Sequence, residues 1–198
     1  MRNIILAGVG GQGTVLASKI LAQSAIRRGE MARTAETIGM AQRGGSVVSH
    51  VRLGGDGMTV SPLIPRGMAD VLIAFEPAEA CRNLPLLQKD GFVIVSDTAI
   101  KPVTDALSDT DYTGAEMLSY LRNQNVRLTV VPGRKIVEAC GSVRVLNMAL
   151  LGAASASGAI GLTTAELCER IREMVPQKLV AMNEKALSLG ANSVNKGI

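Results

Sequence analysis

Apolar and polar positions along this chain alternate between two rhythms, short continuous apolar runs and stretches with helical spacing. Asn3-Ile4-Ile5-Leu6-Ala7 is an apolar strand that runs into Gly8-Val9-Gly10-Gly11-Gln12-Gly13 and then into a segment with helical periodicity. From Thr14 to Arg28 the apolar positions Val15, Leu16, Ile20, Leu21, Ala25 and Ile26 form one broad face, and Gly29 closes the helix. A strand is expected from about Met31 to Glu36. Ser46 to Leu53 and Met58 to Leu63 alternate around Gly54-Gly55-Asp56-Gly57, the pattern of a β-hairpin inserted at the edge of the sheet. Ala69 to Phe75 is continuous and apolar, as in a buried parallel strand, followed by a helix over Pro77 to Gln88 and a strand over Phe92 to Ser96. Gly114 to Asn123 predicts a helix, Val126 to Val131 a strand, and Lys135 to about Ala156 one long helix of small residues. Thr163-Thr164-Ala165-Glu166 is a capping box ahead of Leu167, Ile171 and Val175, and Pro176 opens a last helix. This order implies an α/β fold, Rossmann-like, with a mostly parallel doubly wound sheet and an inserted antiparallel β-hairpin. It forms one domain over residues 1–190, and 191–198 make a flexible C-terminal tail that frays from Asn192.

Composition narrows the function classes. At 198 residues the chain buries one good core but is too short for two nucleotide-binding halves plus a substrate domain. Hydrophobic residues make up 47% and aromatics only 2%, so the core is aliphatic and part of the apolar surplus suits a subunit interface. The net charge of +4 comes from scattered Lys and Arg, a distribution that favours small anionic ligands or an acidic partner over nucleic acid. With two Phe, two Tyr and no Trp, base-stacking platforms are missing as well. Cys81, Cys140 and Cys168 are odd in number and far apart, which argues against a disulfide framework and a CxxC zinc or iron–sulfur site and points to reduced thiols in the cytoplasm. The N-terminus has no signal-peptide pattern, since strand-like sequence begins by Asn3. The uncharged run from Val145 to Ala165 is long enough to cross a bilayer, yet its Gly, Ala, Ser and Asn147 content fits a buried helix and loop better, so no membrane association is expected.

The candidate chemistry is binding chemistry. In the first glycine motif Gly8 permits a tight turn, Gly10 admits an anion close to the backbone, and Gly13 allows close helix packing. The helix after it presents unpaired N–H donors and a partial positive charge. Gly11 and Gln12 complete the cradle, and Glu36, near the end of the second strand, stands where a dinucleotide-binding protein holds ribose hydroxyls. A solvated strand-end glutamate is the simpler alternative. A second glycine-rich stretch, Gly39-Met40-Ala41-Gln42-Arg43-Gly44-Gly45-Ser46, brackets a Gln42-Arg43 pair, and Arg43 offers a bidentate fork for phosphate or carboxylate. Gly55-Asp56-Gly57 with Asn83 imitates a thiamine-diphosphate metal motif, but in a turn and a helix neither oxygen would face the end of a parallel strand. His50, the single histidine, lies in an alternating strand where a structural or surface role is expected. No catalytic residue and no metal ligands are predicted: serine elbow, paired carboxylates and metal-ligand spacing are all missing from the sequence.

The two glycine motifs together, the second continuing through Val47-Val48-Ser49-His50-Val51-Arg52, make the chain resemble the small subunit of indolepyruvate:ferredoxin oxidoreductase. That subunit is equivalent to the gamma subunit or domain of the pyruvate and 2-oxoglutarate ferredoxin oxidoreductases. The resemblance runs from Met1 to about Gly190 and includes Asn147-Met148-Ala149-Leu150-Leu151-Gly152; Ile38 departs from it, standing where many members carry a histidine. The resemblance implies a non-catalytic subunit of a hetero-oligomer that oxidatively decarboxylates a 2-oxo acid, passing the acyl group to coenzyme A and the electrons to ferredoxin. It also implies that thiamine diphosphate, Mg and [4Fe-4S] clusters sit in a large partner subunit. A free-standing NAD- or FAD-binding oxidoreductase is the alternative that the first glycine motif and Glu36 leave open.

Overall fold

The computed structural model describes residues 1–37, 44–55, 61–101 and 112–194. Six strands form one sheet: β1 (Arg2–Val9), β2 (Ala32–Thr37), β3 (Ser46–Leu53), β4 (Ala69–Ala74), β5 (Leu87–Ser96) and β6 (Arg127–Val131). Their spatial order is β2-β3-β1-β4-β5-β6. β1, β4, β5 and β6 run parallel, and β3 pairs antiparallel with both β1 and β2. The doubly wound, mostly parallel α/β expectation therefore holds, but the antiparallel segment sits elsewhere than expected. β3 is not an edge hairpin; it is wedged between β2 and β1, and its eight residues pair with all eight of β1, from Arg2↔Leu53 to Val9↔Ser46. Its expected partner strand is not formed at 61–63, and residues 56–60 lie outside the described residues.

The pleat explains why central strands are apolar on both faces. Ile4 and Leu6 of β1, with Val51, Val71, Ile73 and Ile94, face α1 (Thr14–Arg27), α4 (Gly133–Cys140), α5 (Leu146–Ala156), α6 (Thr164–Met174) and α7 (Gln177–Val194). Ile5 and Ala7, with Leu72, Ala74, Val93 and Val95, face α2 (Pro77–Asn83) and α3 (Ala115–Arg122). α1 meets the sheet through Ala17, Ile20, Leu21 and Ala25, all fully buried at helical spacing.

Other boundaries differ from expectation for local reasons. The helix from Pro77 stops at Asn83 and a short 3₁₀ turn leads into β5, which starts five residues earlier than predicted because Gln88–Gly91 bulge past β4. Asp90 takes a φ of 59° within that bulge and accepts from the Asn125 side-chain amide at 2.8 Å. The single long helix from Lys135 is instead α4 and α5. Gly141, at φ 73°, ends α4 by returning its N–H to Val137 O at 2.8 Å, and Ser142 then caps a new 3₁₀ turn by accepting from Arg144 N. α5 and α7 pack backbone to backbone: a Cβ on Gly152 would lie 1.9 Å from Leu187 O, and one on Gly190 1.9 Å from Ala149 O. α7 continues through Asn192 to Val194, past the expected start of the tail, while residues 195–198 lie outside the described residues. Among the described residues no helix is long and apolar enough to cross a membrane, and the run from Val145 is α5 followed by a turn.

Candidate functional site at the glycine-lined end of the strands

β1 and β4 lead to helices on opposite faces of the sheet, so the crevice at their carboxyl ends is the topological switch point where α/β proteins place ligands. The first glycine motif fills this position. Gly8 is buried, and a Cβ there would stand 2.9 Å from Gln12 Oε1 and 3.0 Å from Phe75 Cβ. Gly11 and Gly13 turn the chain at φ 99° and 85°, values that a β-carbon resists. Gly13 is the N-cap of α1, and no side chain caps that helix. Its carbonyl accepts Ala17 N at 3.1 Å and the Asn147 side-chain amide at 3.4 Å. The first turn of α1 thus presents backbone donors and partial positive charge at the carboxyl end of β1.

Gln12 occupies the crevice itself. Its Oε1 accepts from Val9 N at 2.7 Å, and its Nε2 donates to Phe75 O at 3.2 Å, tying the end of β1 to the end of β4. The second glycine motif meets the first here. Gly10 N donates to Gly45 O at 2.9 Å, and Gly44, at φ 79°, turns the chain into β3. Gln42 and Arg43 lie outside the described residues.

Glu36 is not brought to this loop. Because β3 intervenes, β2 lies two strand spacings, about 10 Å, from β1. There Glu36 Oε1 accepts from Ser18 Oγ of α1 at 3.2 Å. Ribose recognition uses a second strand adjacent to the first, so insertion of β3 removes the geometry on which the dinucleotide alternative depends.

The structure adds polar residues that the sequence pattern does not single out. Glu76 and Glu79 are 2% and 4% exposed at the start of α2. Glu76 Oε2 accepts from Ala78 N and Glu79 N, and its Oε1 takes the hydroxyl of Tyr112. Burial, and then the Glu76 carboxylate, push the Tyr112 phenol well above its ordinary range. Glu79 accepts from Ser46 Oγ at 2.6 Å and pairs with Arg82. The signal was present in Glu76-Pro77, an acidic N-cap before proline at the first helical position. Donors at both oxygens hold each of these carboxylates in place. His50 is likewise structural: its Nδ1 accepts from Ile64 N at 3.1 Å, and burial lowers its pKa. Asn83 gives its amide to Glu79 O, and Asp56 lies outside the described residues. Among the described residues no three His, Cys, Asp or Glu side chains gather to hold a metal.

A doubly wound sheet with an inserted antiparallel strand, and with two glycine loops hydrogen-bonded together at the switch point, defines the Rossmann-like class of α/β domain. The chain belongs to the pyruvate ferredoxin/flavodoxin oxidoreductase family, which it matches over residues 3–193. It is 40% identical to the indolepyruvate oxidoreductase subunit IorB of Archaeoglobus fulgidus, over 98% of this chain and 96% of that one. In fold it is similar to the gamma subunit of a keto/oxoacid ferredoxin oxidoreductase from Geobacter sulfurreducens, with a TM-score of 0.72 at 23% identity and full coverage of both chains. It is also similar to a 2-oxoglutarate:ferredoxin oxidoreductase from Magnetococcus marinus, with a TM-score of 0.75 at 19% identity, covering all of this chain and 31% of that one.

Proposed function

We propose that this chain is the small, non-catalytic subunit of a thiamine-dependent 2-oxo acid:ferredoxin oxidoreductase of the arylpyruvate-using type. The observation that carries this reading is the near full-length match at 40% identity to an indolepyruvate oxidoreductase subunit. Its part in the reaction is to bind and position. The cradle of Gly8, Gly10, Gly11, Gln12 and Gly13, with Gln42, Arg43 and Gly44 of the second motif, holds an anionic group of coenzyme A or grips the large subunit. Support for the coenzyme comes from the Magnetococcus enzyme of similar fold, whose structure has 2-oxoglutarate, coenzyme A and succinyl-CoA bound. Glu36 serves α1 through Ser18. Thiamine diphosphate, Mg and the [4Fe-4S] clusters belong to the large partner, and electrons leave the hetero-oligomer for ferredoxin. Residues 1–190 act as one unit, and the three free cysteines suit a reducing cytoplasm.

The test is complementation. The full chain is assayed with indolepyruvate, coenzyme A and ferredoxin, alone and after co-expression with its large subunit. Turnover is expected only from the pair. Turnover by the chain alone would overturn the reading, as would a fully active large subunit without it.

A further inference from the structure

A cavity of about 310 Å³ opens between α1, α6 and α7, outside the glycine-lined crevice. Its walls are apolar: Leu16 from the first turn of α1, Met174 and Val175 at the end of α6, and Leu179 and Met182 on α7. Unbranched thioethers repack around flat or branched shapes, so two methionines make the lining adaptable. One buried polar group faces this space. Asn183 lines the cavity at 6% exposure, and its Nδ2 donates to Leu179 O at 2.7 Å. Its Oδ1 receives no hydrogen bond from any described residue.

The mouth has the opposite character. Arg144 lines it from an exposed position and forms no ion pair with any described residue. Ser142 stands beside it; its Oγ already accepts from Arg144 N at 3.3 Å and keeps a proton to donate. Asn147, three residues beyond Arg144, touches the N-cap of α1, so the positive end of that helix adds to the same field. An apolar chamber at the small end of ligand-pocket sizes, lined by a guanidinium that pairs with no described residue, suits a molecule with an apolar body and one negative group.

We propose that this cavity binds a small monocarboxylate with an aromatic or branched apolar body, seated between Leu16, Met174 and Met182, with its carboxylate on Arg144. The proposal does not rest on the function proposed above, and its test measures binding rather than turnover. The full chain, labelled with ¹³C at its methionine methyl groups, is titrated with phenylacetate and, separately, with the uncharged phenylacetamide. Phenylacetate shifts the Met174 and Met182 signals, assigned by Met→Leu variants, and phenylacetamide binds about tenfold or more weakly, as loss of one charge-assisted hydrogen bond requires. Arg144→Gln, at an exposed position, weakens phenylacetate by a similar factor and leaves phenylacetamide unchanged. Unmoved Met174 and Met182 signals, equal affinity for acid and amide, or undiminished binding by the Arg144 variant would each overturn the proposal.

Discussion

Single side chains at the carboxyl end of β1 do two jobs that a glycine fingerprint alone does not reveal. Gln12 satisfies Val9 N–H and Phe75 C=O with one amide, so the loop is held by a clamp as well as by its glycines. Gln12→Ala leaves both groups without that partner in a half-buried crevice, and the expected loss is about 1–3 kcal/mol in urea unfolding. Unchanged stability would mean that water replaces the clamp. His50 shows a similar economy, because its Nδ1 can accept from Ile64 N only while the ring is neutral. Burial lowers its pKa, so on acidification the unfolded chain takes up a proton first. The stability it contributes is complete above the ordinary histidine range of about 6.5 and is lost as pH falls below that toward the depressed value. Melting temperature measured between about pH 7.5 and 5.5 should fall in the parent chain and stay flatter in His50→Asn, which keeps an acceptor but cannot titrate.

Helices in this fold are placed by backbone contact as much as by apolar faces. The meeting of α5 and α7 at Gly152 and Gly190 brings carbonyl oxygens to where side chains would otherwise stand. Relief of such a clash requires the helices to separate. Gly190→Ala is therefore expected to cost about 3 kcal/mol or more by denaturant unfolding, against a gain of under 1 kcal/mol if helix propensity alone decided. α6 illustrates the local kind of control. Thr163 and Glu166 cap each other reciprocally, and the Thr163 hydroxyl, then its backbone N–H, hold the Glu166 carboxyl below the ordinary glutamate range. That contribution is present above the ordinary range and disappears as pH falls through the lowered value, the reverse of a group whose pKa is raised.

Across the whole molecule, the consequential feature is where β3 lies. By separating β2 from β1 it carries Glu36 away from the glycine loop, and it also returns the chain so that Gly45 meets Gly10. The described end of the second glycine motif thereby meets the first at the switch point, the surface to which the proposed function assigns binding. If that surface does the binding proposed for it, Gly10→Leu in the assembled complex lowers either assembly, read by size-exclusion chromatography, or turnover with coenzyme A, while the circular dichroism of the chain is retained. A variant that assembles and turns over normally would show that this loop serves only the fold.

What the sequence by itself determined is what short-range physics controls. The β1-glycine-α1 transition, the Thr163 capping box, the apolar run of β4 and the resemblance carried by the two glycine motifs all depend on neighbours a few residues apart. Only the tertiary structure could decide the rest. An alternating strand such as Ser46 to Leu53 pairs equally well in an edge hairpin or between two strands, and the choice depends on partners far back along the chain in β1, from Arg2 opposite Leu53 to Val9 opposite Ser46. The break between α4 and α5 turned on Gly141, which a helix tolerates at modest cost unless a left-handed cap satisfies more backbone groups. The clamp from Gln12 to Phe75, the buried Glu76 and Glu79, and the cavity behind Arg144 join segments distant in the chain. They are settled by hydrogen-bond satisfaction in a packed interior, where a polar group's partner is set by the fold rather than by its sequence neighbours.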